Sequence, residues 1–200
     1  MRIEEMKYRN LLAEYSRMLL AKGYVLGNFG NLSVRLSGNY ILTTPAAVYY
    51  DSLNPADITK MDIKTLTTES GANPTLDKAM HAKIYAARPD VGAVIHTHAK
   101  FCSIFAAAHV PLSIADKDLS DIAGSVVYVS DYARSGSFKA ASNIVKALGD
   151  RKACLIANHG VVCVGADMRE AMLVCEAVEE AAKRYIEPRW QSLSSGIVSG

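Results

Sequence analysis

The segment GNFGNLSVRLSGNYILTT, residues 27–44, limits the architecture more than any other part of the chain. Leu32, Val34 and Leu36 alternate with Ser33 and Arg35, the period of a strand with one apolar face. Ser37-Gly38-Asn39 is a turn, and Tyr40 to Thr44 returns as a second strand. Strands joined by so short a connection pair antiparallel, because a parallel pair needs a crossover of about a dozen residues. The apolar run ACLIANHGVVCVG, residues 153–165, likewise splits into two strands at Asn158-His159-Gly160. Hairpin signals of this kind dominate over strand–helix–strand repetition. They predict a three-layer α/β fold with a mostly antiparallel sheet, and argue against a doubly wound one.

Helices are expected over residues 3–22, stopped by Gly23; from about Leu76 to Ala87, stopped by Arg88-Pro89-Asp90; through Ala108 after the strand 91–98; over Phe138–Leu148; and from Asp167, as cap, to about Tyr185. Residues 45–62 read as irregular, with a short helical piece after Asn54, and further strands fall within 63–70 and 125–130. The 200 residues contain no repeat or linker, so a single domain over 1–200 is expected, with a loosely ordered tail from about 191. A net charge of +2 without a basic stripe argues against nucleic-acid binding. No run reaches the roughly 18 apolar residues of a spanning helix. Cys102, Cys154, Cys163 and Cys175 form no C-x-x-C pair and each lies in an apolar run, the pattern of reduced thiols. The expectation is a cytoplasmic protein with no membrane partner.

Five histidines occur, and two of them, His96 and His98, end the strand VGAVIHTH. Alternate strand residues share a face, so both imidazoles project to one side, as a chelate requires. His159, in the break between two apolar strands, is the natural third donor for an ion that takes three protein ligands and keeps one open position. On spacing alone the same histidines also fit ordinary core or surface positions.

Five blocks, in order, carry a resemblance: GNFGNLSVR (27–35), TTPAAVYYD (43–51), PTLDKAMHAKIYAARPDVGAVIHTH (74–98), PLSIAD (111–116) and ANHGVVCVG (157–165). Together they resemble the class II aldolase/adducin family across nearly the whole chain. The resemblance implies an α/β/α sandwich, a homotetramer with active sites between subunits, and one divalent ion per subunit, Zn2+ with Mn2+ or Co2+ as alternatives. It places the metal on His96, His98 and His159, with the family's acidic residue at Asp77 as acid/base or fourth ligand; by its position before Lys78, Asp77 also fits a plain helix cap. His81, one helical turn beyond Asp77, reads as structural. The implied reaction is cleavage of a ketose phosphate, such as L-fuculose 1-phosphate, to dihydroxyacetone phosphate and an aldehyde through a metal-stabilised enediolate. A sugar-phosphate 4-epimerase, a related decarboxylase and a non-catalytic adducin-like module are the alternatives.

The departures lie in the acid and in the phosphate grip. The family's aldolases carry glutamate where this chain has Asp77, and aspartate there resembles the 4-epimerase branch. Gly30 and Asn31 match the family's phosphate-binding turn. Ala46 and Ala47 replace a hydroxyl residue and a glycine, while Thr75 keeps one hydroxyl and Leu76 loses its neighbour's. The loop LSIADKDLSD carries no tyrosine for the family's proton donor; Asp116 and Asp118 fall there, readable as epimerase-like acids or as solvated loop acids.

Overall fold

The structure, a computed structural model, describes residues 3–197. A seven-stranded sheet forms its middle layer, in the order β4-β3-β2-β1-β5-β9-β8, with every pairing antiparallel. The strands are β1 (Asn31–Arg35), β2 (Tyr40–Thr43), β3 (Thr59–Asp62), β4 (Thr68–Ser70), β5 (Ala93–Thr97), β8 (Ala153–Ile156) and β9 (Gly160–Gly165). Two residues each, β6 (Leu112–Ser113) and β7 (Val126–Val127), pair separately.

The side chains of each strand sort by parity. Leu32 and Val34, Ala93 and Ile95, and Val161 and Cys163 enter one apolar core, which α1 (Ile3–Ala21), α3 (Lys100–Ala108), α4 (Lys117–Ala123) and α6 (Met168–Ile197) cover. Ile41, Val94, Val162 and Val164 enter a second core under α2 (Lys78–Ala87) and α5 (Phe138–Leu148). The result is the expected α/β/α sandwich, and His96, of the same parity as Val94, faces the α2/α5 side.

The irregular stretch expected over 45–62 contains β3. The helical piece expected after Asn54 is a turn, closed by the Asp57 N–H on the Asn54 carbonyl (3.0 Å) and the Asn54 N–H on the Asp57 carboxylate (2.9 Å). The loop LSIADKDLSD holds α4: Asp116 caps it, accepting from the Leu119 N–H at 3.1 Å and from Arg184 at 2.6 Å. Both oxygens of Asp116 are thus engaged, in capping α4 and in pairing with Arg184. Asp167 caps α6 through the Glu170 N–H (2.8 Å), and that helix runs past the expected end near Tyr185, through Pro188, to Ile197. The helix thus continues into the stretch expected to be loosely held from about 191; residues 198–200 of that stretch lie outside the described ones.

Candidate metal centre

His96 is the penultimate residue of β5, and His98 follows that strand's end. β5 pairs with β9 in the register Thr97↔Val161, which brings the β8–β9 turn alongside. In that turn Asn158 takes the left-handed conformation (φ 58°), and the His159 N–H closes on the Ile156 carbonyl at 2.9 Å. Gly160 completes the geometry: a Cβ there would stand 2.3 Å from the Thr97 carbonyl oxygen and 2.9 Å from the His98 ring. Only glycine lets the turn come close enough for His159 to join the pair.

The three imidazoles meet through their Nε2 atoms. His96 Nε2 lies 3.1 Å from His159 Nε2 and 3.0 Å from His98 Nε2. Tetrahedral ligands at about 2.0–2.1 Å from zinc stand roughly 3.3 Å apart, close to this spacing. His96 Nδ1 donates to the Val161 carbonyl at 2.9 Å, which leaves its Nε2 bare and turned inward, the tautomer of a metal ligand. Burial pushes the His96 imidazole below its ordinary pKa, opposed by Asp77 and reinforced by His159. Burial also drives His98 down, to about 3, with His96 and His159 adding to the effect. Ring nitrogens converging in this way can hold a divalent ion.

Asp77 stands at the start of α2 without capping it. Its carboxylate instead accepts from Asn31 Nδ2 at 2.9 Å, through Oδ2, and from the Ser135 hydroxyl at 3.3 Å, through Oδ1. Burial presses the group upward, but the charge that His96, His81 or His159 brings when protonated, together with the Asn31 donor, outweighs it and holds the carboxyl below its usual range. Asp77 belongs to the same cluster of side chains but not to the trio whose donor atoms converge.

The phosphate-grip positions fall on adjoining segments. An isolated bridge between Pro45 and Pro74 sets 45–47 beside 73–76, and the Ala46 N–H is used by the Asn73 carbonyl (2.9 Å). Ala47 is left-handed (φ 60°), the backbone of a glycine position. The Thr75 hydroxyl accepts from the Asp77 N–H at 3.3 Å, and Leu76 is 79% exposed. Gly30 lies against β5, where a Cβ would meet the His96 carbonyl at 2.8 Å. Asn31 does more than form a turn: its side chain bridges Asp77 and His81.

Sequence reading missed the segment before α5. A cavity of ≈ 130 Å3 opens beside Asp77 and His159, walled by Met80 and Ile144 and edged by Ser135 and Asn158. The only sequence signal for that wall was Ser137, which caps α5 through the Ala140 N–H (3.1 Å).

An α/β/α sandwich that brings three histidines together as a site able to hold a divalent ion fits the class of carbon–carbon lyases to which comparison with known proteins assigns the chain. Residues 10–186 match the family model of the class II aldolase and adducin N-terminal domain, and the chain belongs to that family. It is 33% identical over 177 residues, 88% of its length and 79% of the relative's, to a 5-methylthioribulose-1-phosphate/5-deoxyribulose-1-phosphate aldolase of Rhodospirillum rubrum. It is 33% identical to an L-fuculose phosphate aldolase of Methanocaldococcus jannaschii, covering 84% of this chain and 89% of that one. A 3-oxo-tetronate 4-phosphate decarboxylase of Haemophilus influenzae is 27% identical, with 94% and 91% covered. Among solved structures, an L-fuculose 1-phosphate aldolase superposes with a TM-score of 0.86 at 31% identity, covering 90% of this chain and 85% of that one. The chain is an enzyme, a lyase of the class II aldolase family.

Proposed function

We propose that the protein cleaves a ketose phosphate resembling L-fuculose 1-phosphate to dihydroxyacetone phosphate and an aldehyde, with Zn2+ on His96, His98 and His159. The observation that carries this reading is the meeting of three imidazole Nε2 atoms beside a half-buried carboxylate that caps no helix. When bound, the divalent ion supplies positive charge against the negative charge that develops on adjacent substrate oxygens. Breaking the carbon–carbon bond requires the hydroxyl that becomes the aldehyde carbonyl to lose its proton and leaves an electron pair on the carbon retained by dihydroxyacetone phosphate; Asp77, ionised at rest, takes up that proton by way of solvent and returns one to the retained carbon. Oδ2 is held by Asn31, so Oδ1, with only the longer Ser135 contact, is the oxygen that moves the proton. Met80 and Ile144 keep the wall of the adjoining cavity apolar. The backbone at Gly30 and Asn31 and the Thr75 hydroxyl bind the phosphate, with fewer contacts than the family pattern provides because Ala46 and Leu76 contribute no hydroxyl.

The enzyme works as a cytoplasmic homotetramer with sites between subunits. In support, no helix among the described residues is long and apolar enough to cross a membrane. Leu26, Phe29 and Tyr49 lie exposed near the start of β1, and Leu76 and Tyr132 near Asp77. A second reading, epimerase or decarboxylase on the same metal, is favoured by the aspartate at position 77 and by the 27% identical decarboxylase.

The test incubates the zinc-loaded protein separately with L-fuculose 1-phosphate and L-ribulose 5-phosphate, and measures dihydroxyacetone phosphate and pentulose epimer. Release of dihydroxyacetone phosphate from the first supports the aldolase. Epimer formation alone, or no product from either, sinks it. Protein purified without chelator is expected to carry one divalent ion per chain.

A further inference from the structure

Behind Asp77, four buried polar side chains form a line into the second core. Asn31, Ser33, His81 and Tyr85 are 4%, 0%, 0% and 1% exposed. Asn31 Oδ1 lies 2.6 Å from His81 Nε2, His81 Nδ1 lies 2.6 Å from the Ser33 hydroxyl, and that hydroxyl lies 2.9 Å from the Tyr85 hydroxyl. Two elements supply the line: β1 gives Asn31 and Ser33, on the face opposite Leu32, and α2 gives His81 and Tyr85, one turn apart. Arg35 anchors its far end, donating to the Tyr85 carbonyl at 2.8 Å with its guanidinium over the ring.

The protons in this line have one consistent arrangement. A carboxylate only accepts, so Asn31 must turn its Nδ2 toward Asp77 and its Oδ1 toward His81. His81 must then donate from Nε2, and because burial keeps the ring uncharged, Nδ1 is bare. Ser33 spends its single proton on Nδ1, so Tyr85 donates to Ser33. Every member has one role, and reversing any link leaves two donors or two acceptors face to face in a dry interior.

We infer that the line Tyr85–Ser33–His81–Asn31 is a one-way hydrogen-bond relay that locks the Asn31 amide with its donor on Asp77, and that His81 is a positioning residue for proton transfer by that carboxylate. The inference rests on the aldolase reading for its catalytic part and on geometry alone for the relay. If the Asn31 amide turned over, its carbonyl would face the Asp77 carboxylate and push it away. A displacement of about 1 Å at a reacting group can cost ~100-fold in rate. The His81 side chain makes no hydrogen bond or ring contact with His96, His98 or His159 and does not line the cavity, so its loss is expected to leave substrate affinity unchanged.

The experiment uses the full chain loaded with zinc, as parent and as His81→Leu, His81→Gln and Tyr85→Phe. Nitrogen-15 NMR of histidine-labelled parent protein reads the tautomer of His81. A neutral ring with its proton on Nε2 is expected, and a proton on Nδ1 overturns the relay. Enzyme is then given dihydroxyacetone phosphate alone in deuterated water, and deuterium entering its C3 position is followed. In that exchange the C3–H bond breaks as the Asp77 O–H forms, solvent replaces the proton, and the deuteron returns to C3. His81→Leu is expected to slow exchange by about 10- to 100-fold with metal content and KM unchanged. Glutamine at this position carries a donor and an acceptor side by side as imidazole does, so His81→Gln is expected to restore most of the rate. Tyr85→Phe removes one hydroxyl and keeps the packing; it gives a smaller loss and carries the comparison if His81→Leu does not fold. Leucine exchanging at the parent's rate, or glutamine no better than leucine, overturns the positioning role. A parent that exchanges no deuterium overturns the aldolase reading and with it the catalytic part, while the tautomer still decides the relay.

Discussion

At the scale of single residues, the candidate centre depends on atoms that are missing as much as on those present. Gly160 has no Cβ, and one placed there would sit 2.3 Å from the Thr97 carbonyl. Backbone on both sides leaves no flexible end to give way, so Gly160→Ala must part β9 from the end of β5. Overpacking of this kind costs about 1–3 kcal/mol. Because the same Cβ would press on the His98 ring, zinc affinity is expected to fall by at least about tenfold, as for a disturbed outer ligand shell. Thermal unfolding and competitive chelator titration measure the two effects, and unchanged affinity would refute the account of the turn. Asp77→Asn tests the other half of the site. It removes the proton carrier and sets two amides against each other at Asn31, so kcat is expected to drop by about 10²- to 10⁴-fold. Metal retained at one ion per chain would separate proton transfer from ligation, and metal lost with the carboxylate would make Asp77 a ligand.

At the scale of elements, α3 shows how a helix far from the ion can steady it. The helix begins two residues after His98, and Ala99 at its cap offers no side-chain acceptor. Glu179 of α6 supplies one, taking the Phe101 and Cys102 N–H groups at 2.8 and 2.9 Å from a buried position. Glu179→Ala would orphan both donors, and a loss of about 1–3 kcal/mol in unfolding free energy by urea titration is expected. Glu179→Gln, which keeps one acceptor, is expected to lose about half as much, and equal losses would mean packing rather than capping is at stake. Elements with a long period were legible in the sequence, among them α1, α5 and the β1–β2 and β8–β9 hairpins, because local alternation and turn residues fix them. The α4 helix and β6 escaped because seven and two residues are too few to show a period. The H-x-H pair was legible because strand parity alone puts both rings on one side. The approach of His159 was not, since it depends on the register of β5 against β9, and the bridge from Asn31 to His81 depends on how β1 lies under α2. Without the family resemblance, Asp77 would have passed for a helix cap, a role its side chain does not perform.

For the whole molecule, the sheet divides two unequal cores, and the candidate centre lies on the α2/α5 side, where His81 and His96 are buried among apolar groups. Burying neutral imidazoles links the fold to pH. Burial pushes His81 from 6.5 down to about 4, Asp77 opposing and His96 assisting. The unfolded chain therefore binds a proton in the window between those values that the folded chain refuses. The stabilisation is full above pH 6.5 and is lost as pH falls toward 4. A gap of that size corresponds to about 3 kcal/mol for one fully buried ring. Urea unfolding of the metal-free protein from pH 8 to pH 4.5 is expected to show stability declining below pH 6.5, with His98, driven to about 3, steepening the slope. His81→Gln carries no titrating ring at that position, so its curve should be flatter than the parent's over the same window. Parallel curves would mean that His81 accepts a proton in the folded state, which the bare Nδ1 facing the Ser33 hydroxyl does not permit without reversing the Ser33 and Tyr85 links of the line.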